Sequence, residues 1–161
     1  MDDPLTLLED RVRHLEDGRQ ILRTLHDYCT SFDQDRPDAW VDCFTEDAVL
    51  IYEGGLGPDG GKRPPRKFTG RSQLNEFIRN IPTVQRQSMP KHFSADAIIN
   101  TKGNEATVES VVALIIDVNG APELISTGRY LDRLRRCSDG RWRFCERLGH
   151  IDTLKYPPTP H

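Results

Sequence analysis

Tyr28, Asp33 and His92 are the residues of this chain best suited to moving protons. The first two fall in the stretch Tyr28-Cys29-Thr30-Ser31-Phe32-Asp33-Gln34-Asp35, where one segment of helical periodicity gives way to a second that is led by Pro37. Tyr28, Cys29 and Phe32 lie on the apolar stripe of the first segment, and Asp33 stands at its mouth. A role in starting a turn would account for Asp33 on local sequence alone. If it projects into an interior instead, the cost of burying an unpaired carboxylate demands a partner. His92, in Pro90-Lys91-His92-Phe93, is the natural one. A carboxylate contact would hold the imidazole in one tautomer and raise its basicity, which makes the pair a general base. A nearby tyrosine hydroxyl would donate to a substrate oxygen. The two members of the pair are expected within hydrogen-bond reach of each other and lining the largest pocket.

These side chains need a frame. Leu5, Leu8, Val12 and Leu15 recur at helical spacing over Leu5 to Glu16, and Ile21, Leu25, Tyr28, Cys29 and Phe32 do so over Arg19 to Phe32. Gly18 between them predicts a kink or break. Pro37 suits the first turn of a short helix with Trp40, Val41 and Phe44 on its apolar side. Ala48 to Tyr52 is an apolar run short enough for a buried strand. The stretch Glu53 to Gly70, with six glycines and three prolines, reads as a long loop that would serve as a lid. Arg71 to Ile81 is helix-like, with Leu74, Phe77, Ile78 and Ile81 on one side.

Beyond Pro90 the period changes to that of strands: His92 to Asn100, Ala106 to Val118, Leu124 to Arg135 and Arg141 to Asp152. Lys102-Gly103-Asn104, Asn119-Gly120 and Asp139-Gly140 supply the turns. Strands joined by short turns form an antiparallel meander, and helices upstream of it imply an α+β domain spanning 1–161, with helices on one face of the sheet. The last residues, 156–161, read as a proline-rich tail. A curved sheet over helices leaves a cone-shaped space between them. Its other face, expected to carry Val108, Val112 and Leu114, implies a homodimer or homotrimer. Trp40, Phe44, Trp142 and Phe144 are expected in the core.

The 161 residues are 36% hydrophobic and 29% charged, with a net charge of −3. No global positive field draws such a chain to nucleic acid, and the basic run Lys62 to Lys67 is short and broken by Pro64 and Pro65. No apolar run approaches the ~18 residues that a membrane span requires. Met1-Asp2-Asp3-Pro4 lacks the basic and apolar segments of a signal peptide, so a cytoplasmic location is expected. The four cysteines, at 29, 43, 137 and 145, have no CxxC spacing and read as free thiols. Gly55, Gly57 and Gly60 match a dinucleotide-binding glycine pattern formally, yet prolines follow where the helix would have to start. The histidines have no ligand spacing, so no metal is expected. His150 reads as a structural histidine of the last strand.

The helix with Tyr28 and Asp33, the stretch Trp40 to Val49, Gly70-Arg71 at the next helix, His92 at the meander's start and the closing Asp139-Gly140-Arg141-Trp142-Arg143-Phe144 together resemble the SnoaL-like branch of the nuclear transport factor 2-like superfamily. The resemblance covers nearly the whole chain, and the order and spacing of its motifs carry it. It implies an α+β cone with a deep pocket. It also implies cofactor-independent chemistry of the kind done by scytalone dehydratase, bile-acid 7α-dehydratase, lindane dehydrochlorinase and polyketide cyclases. Asp33 and His92 match the family's aspartate and general-base histidine, and Tyr28 matches the pocket residue five positions before the aspartate. Tyr52 falls near a strand position that lines the pocket in scytalone dehydratase, and Arg147 near an arginine of the last strand in some members; both would bind substrate. The apolar run Val111 to Ile116 departs from the polar central strands usual in the family. The resemblance implies a dehydratase-like lyase or isomerase acting on a small hydrophobic cyclic substrate. The same fold also serves as a non-catalytic subunit, for instance the small subunit of ring-hydroxylating dioxygenases.

Overall fold

The computed structural model describes residues 3–55, 61–81 and 90–154. Its first helix, α1, runs Pro4–Asp33 without a break. Pro4 sits in the first turn, where its missing N–H costs nothing. The break expected at Gly18 does not occur. A glycine inside a helix costs about 1 kcal/mol relative to alanine, less than starting a second helix would. Past Gly18, the buried residues Ile21, Leu25, Tyr28 and Cys29 fix the chain in helical form against the sheet.

A short helix α2 (Pro37–Asp42) turns the chain into β1 (Phe44–Gly54). The expected loop from Glu53 to Gly70 contains a strand, β2 (Arg66–Thr69), which pairs antiparallel with β1 from Val49 opposite Thr69 to Tyr52 opposite Arg66. Residues 56–60 of that stretch, with Gly57 and Gly60, lie outside the described residues, as does the tail 156–161. Helix α3 (Gly70–Arg79) starts at a glycine with φ 76°, a conformation that side chains disfavour. Arg71 ties it back to β1 by donating twice to the Phe44 carbonyl, at 2.7 and 3.0 Å.

Four long strands follow: β3 (Lys91–Lys102), β4 (Glu105–Val118), β5 (Ala121–Arg136) and β6 (Trp142–Leu154). They pair in chain order as the expected antiparallel meander, and the whole sheet runs β2-β1-β6-β5-β4-β3. Among the described strands only β1 and β6 pair in parallel. Register shifts interrupt the pairing at Ala95/Ile98, Leu114/Ile115, Thr127/Gly128 and Arg133/Leu134. Such bulges bend strands and strengthen their twist, which wraps the sheet over α1.

The core lies between α1 and the inner sheet face and includes Trp40, Phe44, Trp142 and Phe144, each exposed by 1% or less. One facing is opposite to expectation. Along the first half of β4, Glu105, Thr107 and Glu109 take the water side, so the period of two turns Val108 and Val112 inward, where they are 2% and 4% exposed. Leu114 is half-buried. The outer face carries Phe93, Ile98, Val111 and Leu131 instead.

Candidate active site

Asp33 is the last residue of α1 and His92 the second residue of β3. The structure brings them together at two points. The His92 backbone N–H donates to Asp33 Oδ2 at 2.9 Å, and His92 Nδ1 lies 2.6 Å from Asp33 Oδ1. Both side chains are nearly buried, at 11% and 13% exposure. The Phe32 ring stands edge-on to the imidazole, with centroids 4.6 Å apart, and closes one side of it. An ionised carboxylate only accepts hydrogen bonds, so the arrangement puts the imidazole proton on Nδ1 and leaves Nε2 with its lone pair.

The other expected residues, Tyr28, Tyr52 and Arg147, lie in the interior between α1 and the sheet. Tyr28 and Tyr52 share a hydroxyl–hydroxyl hydrogen bond of 2.6 Å. Gly149 of β6 makes room for this pair, since a Cβ there would stand 2.7 Å from the Tyr52 ring. Burial pushes the Tyr28 phenol well above its ordinary value, Tyr52 and Tyr130 add to that push, and Arg147 opposes it. Burial likewise raises Tyr52 against the pull of the Tyr28 hydroxyl and Arg147. Both phenols are therefore neutral at physiological pH.

Arg147, expected to bind substrate, is fully buried. Its Nε and Nη2 donate to Asp132 of β5 at 2.8 and 2.7 Å, in a bidentate pair. Its guanidinium carbon lies 4.1 Å from the Tyr28 ring centre, and 4.0 Å from those of Tyr130 and Phe144. A carboxylate and three aromatic faces hold the cation beneath the tyrosine pair, while its Nη1 is buried without a hydrogen-bond partner. Burial pushes the Asp132 carboxyl up, against the opposing pull of Arg147.

Four polar residues of this interior were not anticipated. Ser94 donates to Ser110 at 3.2 Å, linking β3 to β4 on the face that carries His92. Tyr130 stands opposite Ser110 in the β4–β5 ladder, and Asp132 follows it two residues on. The period-two spacing Tyr130-x-Asp132 is the sequence signal that marks them as sharing one face. The departure expected over Val111 to Ile116 holds for that run alone, because the polar groups sit just outside it.

Neither Asp33 nor His92 lines a cavity of about 370 Å³ found among the described residues. That cavity is a groove on the outer sheet face, bordered by Ile98, Thr107, Leu131 and Glu146. The inner space is occupied by the tyrosine, phenylalanine and arginine side chains just described. His150 is half exposed and reaches Glu53 at 3.2 Å, away from the dyad. Among the described residues no group of histidine, cysteine, aspartate or glutamate side chains is arranged to hold a metal. No helix there is long and apolar enough to cross a membrane.

Helices packed on one face of a bent, mainly antiparallel sheet, with an Asp–His pair at the helix end, define an NTF2-like α+β protein. The sequence profile of the SnoaL-like domain matches residues 13–148, and the chain belongs to that family. An NTF2-like protein with a cystatin-like fold from Novosphingobium aromaticivorans superimposes with a TM-score of 0.78 at 24% identity, over 94% of this chain and 91% of its own. The beta subunit of a candidate aromatic-ring-hydroxylating dioxygenase from the same organism gives 0.71 at 20% identity, over 92% and 96%. A candidate scytalone dehydratase, also from that organism, gives 0.65 at 20% identity, over 92% and 97%. No functionally curated protein is significantly similar in sequence.

Proposed function

We propose that this protein is a cofactor-independent lyase or isomerase of the dehydratase type, acting on a small hydrophobic cyclic substrate in the cytoplasm. The observation that carries this reading is the 2.6 Å contact between Asp33 and His92 in a nearly dry setting. His92 Nε2 removes a proton from a carbon beside a carbonyl or leaving group. The electron pair of that C–H bond forms the new double bond as the bond to the leaving hydroxyl breaks, and the hydroxyl departs as water with a proton returned by His92. Asp33 stabilises the imidazolium that results. Tyr28, backed by Tyr52, donates to the oxygen on which charge develops. Proton transfer by a positioned side chain contributes roughly 10² to 10⁴ in rate. The free, buried thiols Cys29 and Cys43 fit a reducing compartment.

A second reading is a non-catalytic subunit that binds a catalytic partner. It is favoured by the packed tyrosines and arginine, which occupy the inner space, and by the dioxygenase beta subunit among the structures of similar fold. Incubation in deuterated water with a panel of cyclic ketones and β-hydroxy ketones separates the two. A catalytic protein accelerates deuterium uptake or water loss, and His92→Ala abolishes this while its thermal unfolding stays near that of the wild type. Equal rates for wild type and His92→Ala across the panel would leave the subunit reading in place.

A further inference from the structure

The N-terminal half of α1 has no covering in the described structure. Every residue from 3 to 16 is exposed, including Leu5 at 60%, Leu8 at 56%, Val12 at 46% and Leu15 at 71%. A contiguous exposed apolar stripe of this kind calls for something to cover it. The described residues do not do so. At 100° per residue the stripe points about 140° away from the face that Ile21, Leu25 and Tyr28 bury against the sheet. His14, on the domain side, reaches Thr101 at the end of β3 with 3.0 Å between Nδ1 and the hydroxyl, and the turns before it project beyond.

The spacing identifies the cover. Leu5, Leu8, Val12, Leu15, Arg19 and Leu22 alternate three and four residues apart, as the a and d positions of a heptad. Leu8, Leu15 and Leu22 take d, and β-branched Val12 takes a. Leucine at d with a β-branched residue at a favours two parallel strands. Of the other two a positions Leu5 is apolar, and Arg19 would fix the register, the use to which single polar a residues are put. The flanking charges agree on direction. Glu9 and Glu16 fall at e and Arg11 at g. In a parallel pair Arg11 meets Glu16 of the other copy, whereas an antiparallel pair would set glutamates against glutamates and Arg11 against Arg11. Neither Arg11 nor Glu16 has an ion-pair partner among the described residues.

We propose that two copies of this chain associate through the exposed stripe from Leu5 to Leu22, as a parallel two-helix coiled coil. The interface lies on α1 and not on the outer sheet face. It is independent of the function proposed above. Because the residues concerned are exposed in the monomer, changing them leaves the domain's own core intact.

Sedimentation and light scattering of the full chain test it. The wild type is expected at twice the monomer mass, and Leu8→Lys/Leu15→Lys at the monomer mass with less helical circular dichroism but unchanged near-ultraviolet dichroism. Arg11→Glu and Glu16→Arg should each weaken the dimer, and the two together should restore it. A wild type that stays monomeric, or a Leu8→Lys/Leu15→Lys variant of unchanged mass, overturns the proposal. So does dissociation by Leu131→Lys on the outer sheet face, or failure of the double charge reversal to restore what each single reversal loses.

Discussion

Asp33 grips His92 by both its ring and its backbone: one carboxylate oxygen accepts the main-chain N–H at 2.9 Å and the other faces Nδ1 at 2.6 Å. Position and tautomer of the imidazole are thus set by one side chain. Asp33→Asn keeps an acceptor for only one of these contacts and can turn an amide N–H₂ toward Nδ1, which moves the ring proton to Nε2. Turnover should fall by about 10² to 10⁴ while the fold persists. Nitrogen-15 chemical shifts of His92 report the tautomer directly. If the variant keeps both the wild-type tautomer and wild-type turnover, Asp33 has no part in the chemistry.

The tyrosine pair makes a second prediction. Tyr28→Phe or Tyr52→Phe leaves the other hydroxyl buried without its partner, at a cost of about 1 to 3 kcal/mol. Removing both hydroxyls costs less than the sum of the single losses, because no orphan remains. Urea unfolding of the two single variants and the double variant completes the cycle. Strict additivity would show that the 2.6 Å contact carries no coupling.

Arg147 and Asp132 should behave more sharply. Both side chains are wholly buried, so Arg147→Met strands a carboxylate and should cost about 3 to 5 kcal/mol. Arg147→Met/Asp132→Leu should recover most of that loss, since nonpolar residues of similar volume often replace such a pair without penalty. Chemical denaturation of the three proteins decides. A double variant no more stable than Arg147→Met would mean that the arginine's three aromatic contacts, and not the ion pair, hold this region.

Acid stability follows from carboxylates at the other end of the sheet. Burial pushes Asp42 up, but hydrogen bonds and charge from Arg141 and Arg143 outweigh it and hold the carboxyl below its ordinary value. Asp139 is held low by the Arg141 backbone N–H and then by Arg143, and Asp47 by Thr45 and then Arg135. A carboxyl depressed in the folded state releases its proton more readily there than in the unfolded chain. Its stabilisation is complete above the unfolded value of about 4 and is lost as pH falls through the lower folded one. Stability should therefore drop below about pH 4, and Asp42→Asn should flatten the drop. Thermal unfolding at intervals from acid to neutral pH measures it; an Asp42→Asn curve parallel to the wild type would sink the assignment.

Much of this is legible in the sequence where local pattern and packing agree. The meander is, because its turns carry Asn-Gly and Asp-Gly between alternating runs. The pairing of Asp33 with His92 is legible only once a family pattern joins residues 59 apart in the chain. β2 is hidden because Arg-Lys-Phe-Thr offers one apolar side chain, and its pairing with β1 decides its conformation. The facing of Val108 and Val112 turns on Glu105 and Glu109, whose charge marks the water side more surely than any valine marks the core. Asp132 as the partner of Arg147 is hidden, because the β5–β6 register puts the two opposite each other and register across a sheet is not a property of either strand alone.

The parallel union of β1 with β6 has a consequence for how the protein is made. Arg143, which bonds the Asp42 carbonyl where the two strands meet, follows it by 101 residues. At a synthesis rate of about 5 to 20 residues per second, β1 and the helices around it wait on the order of 5 to 20 seconds for the strand that completes them. Through that interval one edge of β1 is open, and Ala48 and Leu50 lack their final cover. A chain stopped anywhere before Trp142 never acquires the neighbour of β1. Nascent-chain quality control, more than native stability, then decides the fate of truncated products.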